Sequence, residues 1–253
     1  MKRCREGGQG VSRLPPHFFS AYLTSAASCD TIIFRSIERE KPLSYLTVMK
    51  GTQAEITIEK SRFIAQVFPL DGAEENEEVA KEIVRQTQKK YWDATHNCYA
   101  YVLGRRAHIQ KASDDGEPSG TAGVPILETI KKNELTDTAV VVTRYFGGIK
   151  LGAGGLVRAY TRATAAGIEQ AQLVRKEEHA FFVATIDYAT WSRIEQPLTA
   201  RSLLHDRSFT AHVTVTVSVA LEREAELRAY FDKWPQRQVS YVVSHRDYVD
   251  VPV

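Results

Sequence analysis

The chain has 253 residues, 43% hydrophobic and 25% charged, which fits an ordinary globular protein of one large or two modest domains rather than a fibrous or disordered one. No run of 18 apolar residues occurs, so no membrane span is expected. The formal net charge of +2 is uneven. Residues 1–48 hold seven Lys/Arg against four Asp/Glu, and the remainder holds 26 against 27, so attraction to a polyanion must come from a local patch.

Met1 and Met49 are the two methionines, and the segment between them shows no sustained helical or strand period. Pro15-Pro16 and scattered serines break it, and the apolar stretch at Phe18–Ala27 is too interrupted for a signal peptide. Residues 1–48 therefore read as a non-native or disordered extension, with Met49 as the initiator. Cys4 and Cys29 fall in that segment and Cys98 alone in the body. One cysteine forms no internal disulfide, so the body is expected in a reducing compartment, the cytoplasm.

From Met49 the elements follow in order. Glu55–Glu59 and Arg62–Phe68 read as strands, Asp71-Gly72 as a turn, and Ala73–Tyr91 as a helix with acidic start and basic end, matching its dipole. Cys98–Leu103 and His108–Ala112 form a strand pair turned at Gly104. A polar loop, Ser113–Gly120, leads into a helix near Val124–Asn133. Thr138–Thr143 is a β-branched buried strand, and Ala153–Ala171 a long helix. Past a charged connector at Val174–His179 the pattern restarts as strand Ala180–Asp187, helix Trp191–Ser202, strand His212–Ala220, helix Leu221–Lys233 and strand Val239–Val249. With Leu203–Phe209 as a short extra strand, this order suggests a ferredoxin-like domain. The predicted domains are 49–174 and 175–253, in an α+β fold.

Three constellations carry chemistry. Arg144 to Tyr160 contains five glycines in nine residues (Gly147, Gly148, Gly152, Gly154, Gly155) between a strand and a helix. Such a turn lets backbone approach a ligand, and the helix start offers free N–H groups to an anion. Arg144, Lys150 and Arg158 add positive charge, and Tyr145 or Phe146 can stack on a base. The alternative is a tight crossover whose glycines serve packing alone. The second constellation, Asp114-Asp115-Gly116-Glu117-Pro118-Ser119-Gly120-Thr121, puts three carboxylates in four residues. They can ligate a hard cation or divide acid and base roles, while Ser119 and Thr121 can cap the next helix or donate to a phosphate; a turn-rich helix entry is the plainer reading. In the third, His96 beside Asn97 is a candidate base or hydrogen-bonding reader, and Cys98 is expected to be a buried, inert thiol. The candidate catalytic groups are thus His96, Asp114, Asp115 and Glu117. No metal or cofactor is assigned.

Taken together, Lys60–Ala65, His96–Tyr101, Asp114–Leu127 and Val142–Tyr160 resemble the YigZ/IMPACT family, over about residues 55–172. The resemblance implies a first domain folded like the second domain of ribosomal protein S-five, and a ferredoxin-like second domain similar to a C-terminal domain of elongation factor G. Both kinships point to RNA, the ribosome or a translation-associated protein as partner. Eukaryotic IMPACT proteins act in translational control, but they differ from this chain in their expected domains, so their pathway is not carried over. The family brings no established catalytic residues. The expected function is a translation-associated regulatory or binding protein using the glycine-rich turn as an anion site. The alternative is an enzyme acting on a phosphorylated small molecule or peptide through the Asp114–Glu117 loop.

Overall fold

A computed structural model describes residues 44–70 and 77–253. The turn at Asp71-Gly72 and all of the N-terminal segment up to residue 43 lie outside them. Among the described residues, ten strands form two antiparallel sheets, with five α-helices packed on them.

The first sheet runs in the order β2 (Thr52–Ile58), β3 (Ser61–Pro69), β6 (Thr138–Tyr145), β4 (His96–Leu103), β5 (Ile109–Ser113). Its centre, β6, is the continuous β-branched run, buried on both faces. One face packs Phe63, Ala65, Cys98, Ala100, Val140 and Val142 against α2 (Gly123–Lys132) and α3 (Gly152–Glu169). The other sets Leu70, Tyr101, Leu103 and Ala139 against Ala80 of α1 (Glu77–Lys90). The β2–β3 hairpin turns on two residues, with Ile58 paired to Ser61 and both Glu59 and Lys60 at positive φ. Two left-handed residues match the twist of paired strands, although neither is the Asn or Gly usually found there.

The second sheet is built on β7 (Leu173–Ile186), whose edge toward β9 (Val213–Ala220) and β8 (Leu203–Phe209) is opposite the edge that β10 (Val239–Pro252) follows along its length. Helices α4 (Tyr188–Thr199) and α5 (Glu224–Phe231) complete a β-α-β-β-α-β unit, which is the ferredoxin-like arrangement. Alternation does the work here. Val213, Val215, Val217 and Val219 of β9 meet Phe182 and Ala184 of β7, with Trp191, Ile194, Leu198, Leu227 and Phe231 closing the core. Asp187 caps α4, accepting from Thr190 N at 2.7 Å, so the helix starts three residues earlier than its apolar period indicates.

Two expectations need correction. Residues 44–48, read as part of an extension, form β1 (Ser44–Val48), paired with Leu173–Glu177 at the start of β7. Thr47 and Val48 are fully buried, Val48 in the first sheet's core, because a short strand can be recruited by a partner far away in sequence. For the same reason the charged segment Val174–His179 is strand rather than connector, held by β1 and β10 on its two edges.

Candidate functional site

The Asp114 loop is organised by its own carboxylates. Asp114 Oδ1 accepts from the backbone N–H of Ala122 (3.0 Å) and Gly123 (2.8 Å), and Oδ2 from Gly120 (2.8 Å). Burial alone would raise the Asp114 pKa, but these three amides outweigh it and hold the group below the usual carboxylate range. Ala122 is the N-cap and Gly123 the first residue of α2, so Asp114 fills that helix's start from eight residues away. Asp115 Oδ2 accepts from Asn97 N at 2.6 Å. Both aspartates are therefore committed to backbone amides, and the three carboxylates diverge. Among the described residues, no group of three His, Cys, Asp or Glu side chains could hold a metal ion.

Glu117 goes elsewhere. Its side chain is 3% exposed, and Oε1 accepts from Arg144 Nη1 (2.6 Å) and Tyr160 Oη (2.8 Å). Arg144, expected to reach for a phosphate from the surface, is 6% exposed at its side chain. Its Nη2 lies 3.4 Å from Ser61 Oγ, and its guanidinium sits between the rings of Phe63 and Phe146, 5.4 and 5.5 Å from their centroids. The Arg144 Nε–H is buried with no partner. Cys98 lies beneath, its Sγ 2.9 Å from the Asp114 carbonyl and 3.3 Å from Tyr160 Oη. Burial pushes the thiol up to about 12, consistent with an inert thiol.

After β6 the glycine-rich turn folds tightly. A Cβ on Gly147 would stand 2.0 Å from the Lys60 carbonyl carbon, so only glycine permits this contact with the β2–β3 hairpin. Gly148 and Gly152 take φ of 84° and 68°, where other residues are strained. The turn delivers α3, an 18-residue helix with no side-chain cap on its start and no acidic residue in its first turn.

The loop and the turn meet in a cavity of about 370 Å³. His96, Glu117 and Arg144 form its polar wall, and Lys150, Gly152 and Ala153 bring in the turn and the start of α3. Pro118, Phe146, Leu151 and Leu156 supply apolar surface. His96 Nδ1 is 2.7 Å from the Asp115 carbonyl oxygen, which only accepts, so Nδ1 carries the hydrogen. In the neutral ring Nε2 is then an acceptor, 4.0 Å from Glu117 Oε2.

Of the residues singled out in sequence, the cavity gathers His96, Glu117, Arg144, Phe146, Lys150 and Gly152. It leaves out others. Tyr145 points away and donates to Asp93 Oδ1 at 2.9 Å, as strand alternation requires of Arg144's neighbour. Arg158 is exposed on α3 but does not line the cavity, nor do Gly154, Gly155 or the exposed Ser119. Thr121 is buried and donates to the Pro118 carbonyl at 2.6 Å. The sequence reading missed the Glu117–Arg144–Tyr160 knot and its supports Ser61 and Phe63. The one available signal was an arginine near the end of an otherwise uncharged, β-branched strand, which calls for a buried counter-charge.

The fold defines an α+β protein of two antiparallel sheets, in which a glycine-rich strand-to-helix turn opens on a half-buried charged cavity. The Impact N-terminal domain family model matches residues 59–168, a span holding every residue of that cavity. The chain is 45% identical over 192 residues to the IMPACT family member YvyE of Bacillus subtilis, covering 76% of this chain and 85% of that protein. It is 34% identical over 175 residues to the IMPACT family member YigZ of Escherichia coli, covering 68% and 84%. A crystal structure described as that of a hypothetical protein aligns with a TM-score of 0.50 at 29% identity, over 80% of this chain and 98% of that one. The chain belongs to the IMPACT family. Among the described residues, no helix is long and apolar enough to cross a membrane.

Proposed function

We propose that this protein is a translation-associated binding protein of the cytoplasm that contacts RNA phosphate, on the ribosome or free, through Lys150 and the start of α3. The observation that carries the reading is the uncapped start of α3, which has no acidic residue in its first turn and opens beside Lys150 on the cavity. Free N–H groups, the positive end of the helix dipole and a lysine with no ion pair among the described residues together favour an anion. The resemblance to IMPACT proteins supports translation as the setting. A body near charge neutrality favours a shape-specific partner over indiscriminate attraction.

The test is binding of the full chain to ribosomes and to short RNA across a salt series, beside Lys150→Ala. Wild-type affinity is expected to fall with salt, with the slope in Lys150→Ala shallower by about one. Equal binding and equal slopes would remove the reading. A second reading, an enzyme acting on a phosphorylated small molecule, is favoured by His96. Its Nε2 is left as an acceptor in the cavity wall, where a general base would stand. Turnover of such a substrate that His96→Gln abolishes would establish it, and the absence of turnover across a panel of phosphorylated metabolites would dismiss it.

A further inference from the structure

The cavity has two unlike walls, and their chemistry narrows what fits. On one side the start of α3 and Lys150 offer donors and positive charge, and no acidic side chain of the helix answers them. On the other, Glu117 is almost wholly buried, and only its Oε1 is used, by Arg144 and Tyr160. Its Oε2 has no hydrogen bond and faces His96 Nε2 at 4.0 Å, a distance too long for one. Unlike the Arg144 Nε–H, which is buried with no partner, this oxygen is not fully shut away and stays open to a donor from the cavity. The Arg144 charge offsets that of Glu117 at 2.6 Å, so this wall is close to neutral and does not repel an anion held opposite. It asks instead for a neutral donor such as a hydroxyl. Between the walls, the half-exposed ring of Phe146 (46% exposed) offers a face for stacking.

We infer that the cavity is a pocket for a phosphomonoester carried on a hydroxyl-bearing sugar, either the terminal nucleotide of an RNA or a free ribonucleoside monophosphate. The phosphate sits on the first turn of α3 beside Lys150, a sugar hydroxyl donates to Glu117 Oε2, and the base lies on Phe146. A terminal phosphate suits the pocket better than an internal diester for two reasons. It carries more charge and one more free oxygen for the helix N–H groups. It also enters with chain on one side only, whereas a diester must leave a space of about 370 Å³ at both ends. This inference rests on the reading of the α3 start as an anion site and names the ligand of that same site.

The experiment is fluorescence anisotropy of the full chain with a short RNA labelled at its 3′ end, carrying either a 5′-phosphate or a 5′-hydroxyl, with AMP as competitor. The 5′-phosphate is expected to tighten binding about tenfold, the worth of one charge-assisted contact. AMP should displace it. Ala153→Glu places a carboxylate at the helix start, where it suits the dipole and fills the phosphate position. That variant should bind both RNAs alike while melting no lower than wild type. AMP binding without RNA binding would uphold the pocket's chemistry, assign it to the free nucleotide and remove the RNA reading. Equal affinity for the two RNAs without AMP competition would overturn the inference and leave the polyanion reading standing. An undiminished 5′-phosphate preference in Ala153→Glu would also overturn it, and no binding of RNA or AMP would overturn both.

Discussion

The Asp114 loop and the Gly147–Gly155 turn both contribute to the cavity and each leads into a helix, and the chain finishes the two helix starts in opposite ways. At α2 the protein supplies its own anion, for Asp114 takes the N–H groups of Ala122 and Gly123 as well as that of Gly120. At α3 no side chain caps the start, and Leu151 stands at the capping position between Lys150 and Gly152. The first arrangement is self-contained and serves the fold. The second is complete only with something from outside. A helix start is thus best judged by who answers its amides, not by its glycine content.

The sharpest way to break this contrast is through the knot that joins the two regions. Arg144→Met strands the buried Glu117 carboxylate and is expected to cost about 4 kcal/mol, read as a lower urea midpoint. Next, Asp114→Ala removes the acceptor of three backbone bonds and should cost about 2 kcal/mol in the same assay. Its pH dependence follows from the sign of the shift. The native pKa of Asp114 is depressed, so its contribution is present above the ordinary carboxylate range and is lost as pH falls through the native value. Wild type should therefore lose stability in acid more steeply than Asp114→Ala. Gly147→Ala pushes a methyl into the Lys60 backbone and is expected to cost about 1–3 kcal/mol, with the β2–β3 hairpin amides shifted most in an NMR spectrum. The smallest effect sharpens the comparison most. Ala153→Glu gives α3 the acid that α2 already enjoys, and its melting temperature should hold or rise by the equivalent of about 0.5 kcal/mol.

Much of the fold was legible because it rests on local period. The β-branched run of β6, the alternation of β9 and the acid-to-base gradient of α1 each point to one structure. What escaped depends on distant partners. Ser44–Val48 becomes strand because Leu173–Glu177 pairs with it, and nothing within the five residues says so. Within the site, the glycines, Lys150 and His96 were readable as candidates because turn geometry and residue chemistry are local properties. Their sorting was not. Glu117 and Arg144 are 27 positions apart, and only the folded sheet shows that they spend their charges on each other. Strand alternation also separates Tyr145 from Phe146, which the sequence offered as equivalents.

The central claim is that the start of α3 is an anion site, and the most direct measurement is the salt dependence of RNA binding by the full wild-type chain and by Ala153→Glu. Wild-type affinity should fall as salt rises, while the variant, folded and melting no lower, should bind more weakly and with a shallower salt slope. RNA binding by Ala153→Glu with wild-type affinity and the same salt slope would contradict the account.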